Sequence, residues 1–123
     1  MGKFVIKETK TGIKFGLKAT NGQVIASSQV YASVASCKKG IASVAKNASI
    51  AAVEDQTVEN YAAEKNPKFE IYADKGGEFR FRLKAKNGQI IAVTDGYTTM
   101  AKCKNGIASV QKNSVDAPVV KEE

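Results

Sequence analysis

The chain contains no histidine and no tryptophan, and only two cysteines, two methionines and two prolines. Without imidazole, Ser-His-Asp and Cys-His nucleophile systems are excluded, and so are metal sites built on histidine. Two thiols cannot close a thiolate metal site by themselves. No apolar run approaches the length of a membrane span. The apolar stretch from Phe4 to Ile6 is too short for the core of a secretory leader, and Ile6 stands where a myristoylation signal takes Ser or Thr. The expectation is a cytoplasmic protein with no cofactor, no membrane contact and no enzymatic activity. Carboxylates are scarce beside cations, with 12 Asp+Glu against 19 Lys+Arg, a net charge of +7 and a pI near 9.4. That excess suits an acidic partner such as nucleic acid, although it also serves solubility.

Repetition is what the sequence has in quantity. Residues 14–47 lie over residues 80–113 without a gap at an offset of 66, and about 20 of the 34 pairs are identical. Upstream, "KFVIKE" lies over "KFEIYA", with one extra residue in the second copy near Gly76. The organisation reads as one domain, 1–123, made of two repeats at 3–54 and 68–120. A polar linker over 55–67 joins them, and 121–123 form a charged tail. One repeat of roughly 50 residues is marginal alone. The two are therefore expected to share a core as a monomer with internal pseudo-two-fold symmetry.

Each repeat alternates before it turns helical. Phe79, Phe81, Leu83 and Ala85 alternate with Arg80, Arg82, Lys84 and Lys86, the period of a strand with one buried face. Ile13, Phe15, Leu17 and Ala19 do the same in the first copy. Asn21-Gly22 and Asn87-Gly88 follow, and Asn-Gly suits a two-residue type I′ hairpin turn. The returning strands are then 23–27 and 89–93, and earlier strands cover 3–7 and 68–72. Next, Val34, Cys37, Ile41 and Val44 are spaced as one face of a helix, as are Met100, Cys103, Ile107 and Val110. Ser33 and Thr99 are placed as N-caps, and Asn47 and Asn113 to end the helices in a left-handed conformation. Gly40 and Gly106, in mid-helix, imply a close approach to the sheet or to the other helix. Tyr31 and Tyr97 are expected to pack over the helix starts, and Cys37 and Cys103 to be small buried hydrophobes. Thr57 is placed to cap a short linker helix through Ala63. A last strand follows each helix, at 49–53 and 115–120, the second confined to an edge by Pro118.

The segments "FRFRLKAKNGQIIAVTDGY" and "CKNGIASVQKN", each with its first-copy partner, make the chain resemble the YegP-like family of small bacterial proteins. The resemblance implies an α+β fold. Two β3-α-β units share one antiparallel sheet, with two helices on one face and the last strands exchanged between repeats. It implies no activity. Pro118, and Gly16 where the second copy has Arg82, depart from the symmetric pattern.

The face away from the helices is the candidate site. Lys14, Lys18, Arg80, Arg82, Lys84 and Lys86 are expected there, with Tyr72, which alternates with Ile71. A type I′ turn would set Lys18 opposite Ile25 and Lys84 opposite Ile91, placing both isoleucines on this face as an apolar contact under lysine stems. Such a face fits weak, sequence-indifferent binding of a polyanion such as nucleic acid. The alternative is a structural or protein-interaction module that meets a partner protein through Ile25 and Ile91. Reversing Arg80 and Arg82 to Glu is expected to abolish binding and to leave stability within about 1 kcal/mol, because exposed substitutions are usually mild. Glu8, Glu54, Asp55, Asp74 and Asp95 do not recur between copies, so no paired-carboxylate site is expected.

Overall fold

Alternation does become strand, and the 3-4-3 spacing becomes helix. In the computed structural model, β1 (Lys3–Thr9), β2 (Gly12–Lys18) and β3 (Val24–Ser27) precede α1 (Val34–Ala48) and β4 (Ala52–Asp55). The second copy supplies β5 (Lys68–Ala73), β6 (Phe79–Lys84), β7 (Ile90–Val93), α2 (Met100–Asn113) and β8 (Val119–Lys121). The structure describes residues 2–94, 96–115 and 117–121; Asp95 and the tail beyond Lys121 lie outside them. The described strands make one sheet in the order β4-β5-β6-β7-β3-β2-β1-β8.

The sheet is mixed, not antiparallel throughout. β4 runs parallel to β5, and β8 runs parallel to β1. The strand that follows each helix thus sits beside the first strand of the other repeat. Parallel neighbours need a crossover of about a dozen residues. Residues 56–67 provide one, carrying the chain back so that β5 starts beside the start of β4. This segment contains no helix. Thr57, expected to cap one, is held in a turn by the Asp55 carboxylate, which accepts from its N–H and hydroxyl.

The middle of the sheet is held weakly by its own backbone, since β3 and β7 pair only at Ser27 and Val93. Side chains join the halves. α1 packs on β5 and β7 as well as β1 and β2, and α2 on β2 and β3 as well as β6. Phe4, Phe15, Leu17, Phe69, Phe81 and Leu83 fill a single cluster drawn from both repeats. Cys37 and Cys103 lie within it as free thiols with no exposure. Burial pushes the Cys37 thiol up, and burial with the nearby Asp55 charge pushes Cys103 up to about 11. Neither sulfur is held as a reactive thiolate.

Both N-caps form as expected: Ser33 Oγ accepts from Ser36 N–H and Thr99 Oγ1 from Lys102 N–H, each at 3.1 Å. The C-terminal ends differ. Asn47 and Asn113 have no positive φ, and each instead donates Nδ2 to the carbonyl four residues back, on Ser43 and Ser109, at 2.8 Å. The mid-helix glycines admit the tyrosines, which reach past the helix starts. A Cβ on Gly40 would stand 2.7 Å from Tyr31 Cζ and 3.1 Å from Phe15 Cε2; on Gly106 it would stand 2.8 Å from Tyr97 Cζ. Each tyrosine is stacked on the phenylalanine of its own β2 or β6, with ring centroids 6.2 Å apart. Gly40→Ala should therefore destabilise by about 1–3 kcal/mol through overpacking, despite a helix-propensity gain of about 1 kcal/mol. Urea unfolding measures it, and a stabilised variant would show that the ring gives way freely.

Candidate functional site

The hairpin turns decide which side chains reach the open face. Gly22 N–H donates to the Ala19 carbonyl and Ala19 N–H to the Gln23 carbonyl, both at 2.9 Å, with Gly22 at φ 85°. Asn21 keeps a negative φ, so the turn is type I closed by a left-handed glycine, not type I′. The loop gains a residue, and Lys18 pairs with Val24 instead of Ile25. A bulge then restores the expected pairing of Leu17 with Ala26. The second copy repeats this, with Lys84 opposite Ile90 and Leu83 opposite Ala92. Ile91 is buried in the core and Ile25 packs against it. The apolar contact expected at Ile25 and Ile91 is thus corrected. Val24, Ile90 and Val93 are the exposed apolar residues of β3 and β7.

One cross-strand row runs the width of the open face: Val120, Val5, Gly16, Ser27, Val93, Arg82, Glu70, Glu54. Its first half is apolar or small, and its last three residues are ionic. Around Glu70 the cations of the second copy converge. Arg82 Nε donates to Glu70 Oε1 at 2.6 Å, while Lys68 Nζ and Lys84 Nζ lie 3.2 and 3.4 Å from Oε2. Lys68 Nζ also donates to Glu54 Oε1 at 2.8 Å, as does the backbone N–H of Glu64. Both carboxylates are buried, Glu54 to 2 % exposure and Glu70 to 3 %. Burial pushes Glu54 up. The hydrogen bonds from Lys68, Gln56 and Glu64, with the Lys68 charge, outweigh it and hold the carboxyl at about 2. Glu70 is likewise raised by burial but brought below the usual range by Arg82 and Lys68.

The expected basic residues therefore divide. Arg80 bonds Asp74 at 2.8 Å, and Arg82 and Lys84 serve Glu70. Tyr72 faces the open side, but the Arg82 guanidinium lies over its ring, 4.7 Å from the centroid. Lys86 sits beyond β6 in the hairpin turn, lining a shallow cleft with Lys39 and Lys46 of α1. Reversal at Arg82 is no mild surface change, because it would set a third carboxylate against Glu70.

Lys14 and Lys18 remain, and the structure brings Lys3 and Lys7 to them. Lys3 stands directly opposite Lys18, and Lys7 opposite Lys14. Among the described residues no carboxylate lies within ion-pair distance of these four. Lys3 and Lys7 were legible as residues alternating with Phe4 and Ile6. The pairing of Glu54 with Lys68 was not, because only the exchanged strand brings them together. Among the described residues there is no cluster of metal-ligating side chains and no helix long and apolar enough to cross a membrane.

These features define a mixed α+β protein with one sheet and two helices, built on an internal repeat. The chain belongs to the family described as "Domain of unknown function (DUF1508)", whose model matches residues 10–55 and 74–120. It is 43% identical over 120 residues to the UPF0339 protein YegP of Yersinia pestis, covering 97% of this chain and 94% of that one. A UPF0339 protein of Treponema denticola is 60% identical over 53 residues, which are 43% of this chain but 91% of that protein. A relative can thus consist of little more than one repeat. The solution NMR structure of the Escherichia coli protein of unknown function yegP matches with a TM-score of 0.78 at 34% identity, covering 98% of this chain and 92% of that one. That of the UPF0339 protein SO3888 from Shewanella oneidensis gives 0.80 at 29%, covering 98% and 90%.

Proposed function

We propose that the protein is a small non-enzymatic module that binds an extended polyanion, such as nucleic acid, through the first-repeat half of its open sheet face. The reading rests on Lys3, Lys7, Lys14 and Lys18, set as two directly opposed like-charged pairs with no carboxylate partner among the described residues. Like charges directly opposite one another destabilise a sheet. The other half of the same face is neutralised by Glu54, Glu70 and Asp74, so the fold has a means of cancelling such charge. A bound polyanion would relieve the repulsion in the first half.

Neutralising two to four phosphates gives a log–log salt slope of about −1.5 to −3 for a single strand. Lys14→Glu with Lys18→Glu should weaken binding of labelled single-stranded DNA at low salt at least tenfold. It should leave urea stability within about 1 kcal/mol, or raise it, since both changes turn a repulsion into an attraction. Reversing Lys38 and Lys102 on the helices is the charge-matched control. Equal losses from both pairs, or no binding by the wild type, would sink the reading. A second reading draws on Val24, Ile90 and Val93, exposed by 57, 39 and 36 % in mid-sheet, as a protein-interaction patch. Binding through that patch would be nearly insensitive to salt.

A further inference from the structure

We infer that the ligand of this face is a linear phosphate chain held by its charge alone, with no contribution from bases. The inference rests on the polyanion reading above and narrows its ligand class. Lys3 and Lys7 are four residues apart on β1, and so are Lys18 and Lys14 on β2. At about 3.3 Å per strand residue the two cationic pairs stand about 13 Å apart. They form a short track parallel to the strands.

The floor between the pairs is Val5 opposite Gly16. It offers no ring for a base to stack on and no side-chain donor or acceptor to read a base edge. Backbone groups there are spent on the ladders to β2 and β8. Faces that bind single strands through their bases do so on aromatic platforms. The aromatic that the described strands present on this side is Tyr72, in the other half of the sheet. Its ring is already covered by Arg82. Phe4, Phe15, Phe69 and Phe81 all point into the core. The track itself consists of lysines, which act on phosphate as point charges, whereas arginine would bring a planar fork that also stacks on bases.

Such a site does not distinguish the backbone of a nucleic acid from inorganic polyphosphate. Displacement of a labelled mixed-sequence single strand from the full chain at low salt separates the possibilities. The competitors are the unlabelled strand, an abasic oligonucleotide with the same number of phosphates, and inorganic polyphosphate of matched charge. The abasic strand and polyphosphate should both compete within about threefold of the base-bearing strand. Even one base stacked on a ring would favour the base-bearing strand about fivefold or more. A fivefold or larger advantage that disappears with Lys14→Glu and Lys18→Glu overturns the inference and leaves the lysine site standing. Absence of any binding to the labelled strand overturns the polyanion reading itself.

Discussion

Replacing Lys68 by methionine should cost about 3 kcal/mol of stability at neutral pH and should cost progressively less in acid. Lys68 is the cation that bridges Glu54 and Glu70, both buried. Removing one partner of a buried ion pair costs about 3–5 kcal/mol, because the other charge stays desolvated. The lower end applies, since Arg82 and Lys84 still serve Glu70. In the native protein Glu54 is held at about 2, below its ordinary 4.5. Its contribution is therefore complete above about pH 4.5 and is lost as pH falls toward 2. Without Lys68, burial acts on Glu54 with less opposition and its pKa rises, so protonation relieves the variant while it weakens the wild type. Urea unfolding at pH 7 and again near pH 3.5 should show the gap closing. Adding Glu54→Gln to Lys68→Met should recover part of the loss at pH 7. An unchanged gap across that range would mean that the loss does not come from the charge of Glu54.

A chain of residues 1–55 alone should not form a folded monomer. It would carry β4 with no β5 to pair with, β1 with no β8, and α1 without the β5 and β7 surface it packs on. About 55 residues bury too little surface to compensate, and the bare edges invite pairing with another chain. The expected result is a mostly unfolded chain at low concentration. At high concentration it should give a dimer in which each β4 crosses to the partner's β1. Circular dichroism with sedimentation equilibrium distinguishes the states, and a cooperative monomeric fold would refute the expectation. The Treponema denticola relative, matched along 91% of its length by 53 residues, is the natural comparison for the dimeric outcome.

Within the intact chain the two exchange junctions differ in chemistry. At β4–β5 the open-face neighbours are Glu54 and Glu70 with Lys68 between them. At β8–β1 they are Val120 and Val5. Setting β8 beside β5 would lay Val120 against the buried Glu70 and leave Glu54 without its lysine. The unlike junctions thus favour the pairing observed.

Periodicity and capping were local matters, and the sequence by itself determined them. Strict alternation set Phe15, Leu17, Phe81 and Leu83 inward, the 3-4-3 spacing placed Cys37 and Cys103 in the core, and Ser33 and Thr99 began the helices. Duplication showed that whatever one half does structurally the other repeats. Three things were decided only in the tertiary structure. The first was the turn: Asn-Gly is compatible with type I′ and with type I plus a left-handed glycine, and only pairing with the flanking strands chose the second. That choice sent Ile91 into the core and left Val24 and Ile90 outside. The second was strand direction, because an exchanged strand takes its orientation from a partner in the other repeat. The third was which cations keep their charge exposed. Alternation gives Lys14 and Arg82 the same outward direction, but Lys14 stands beside Lys7 and Arg82 beside Glu70. A charge is cancelled by whatever the fold sets within a few ångströms of it, and no spacing along the chain records that distance.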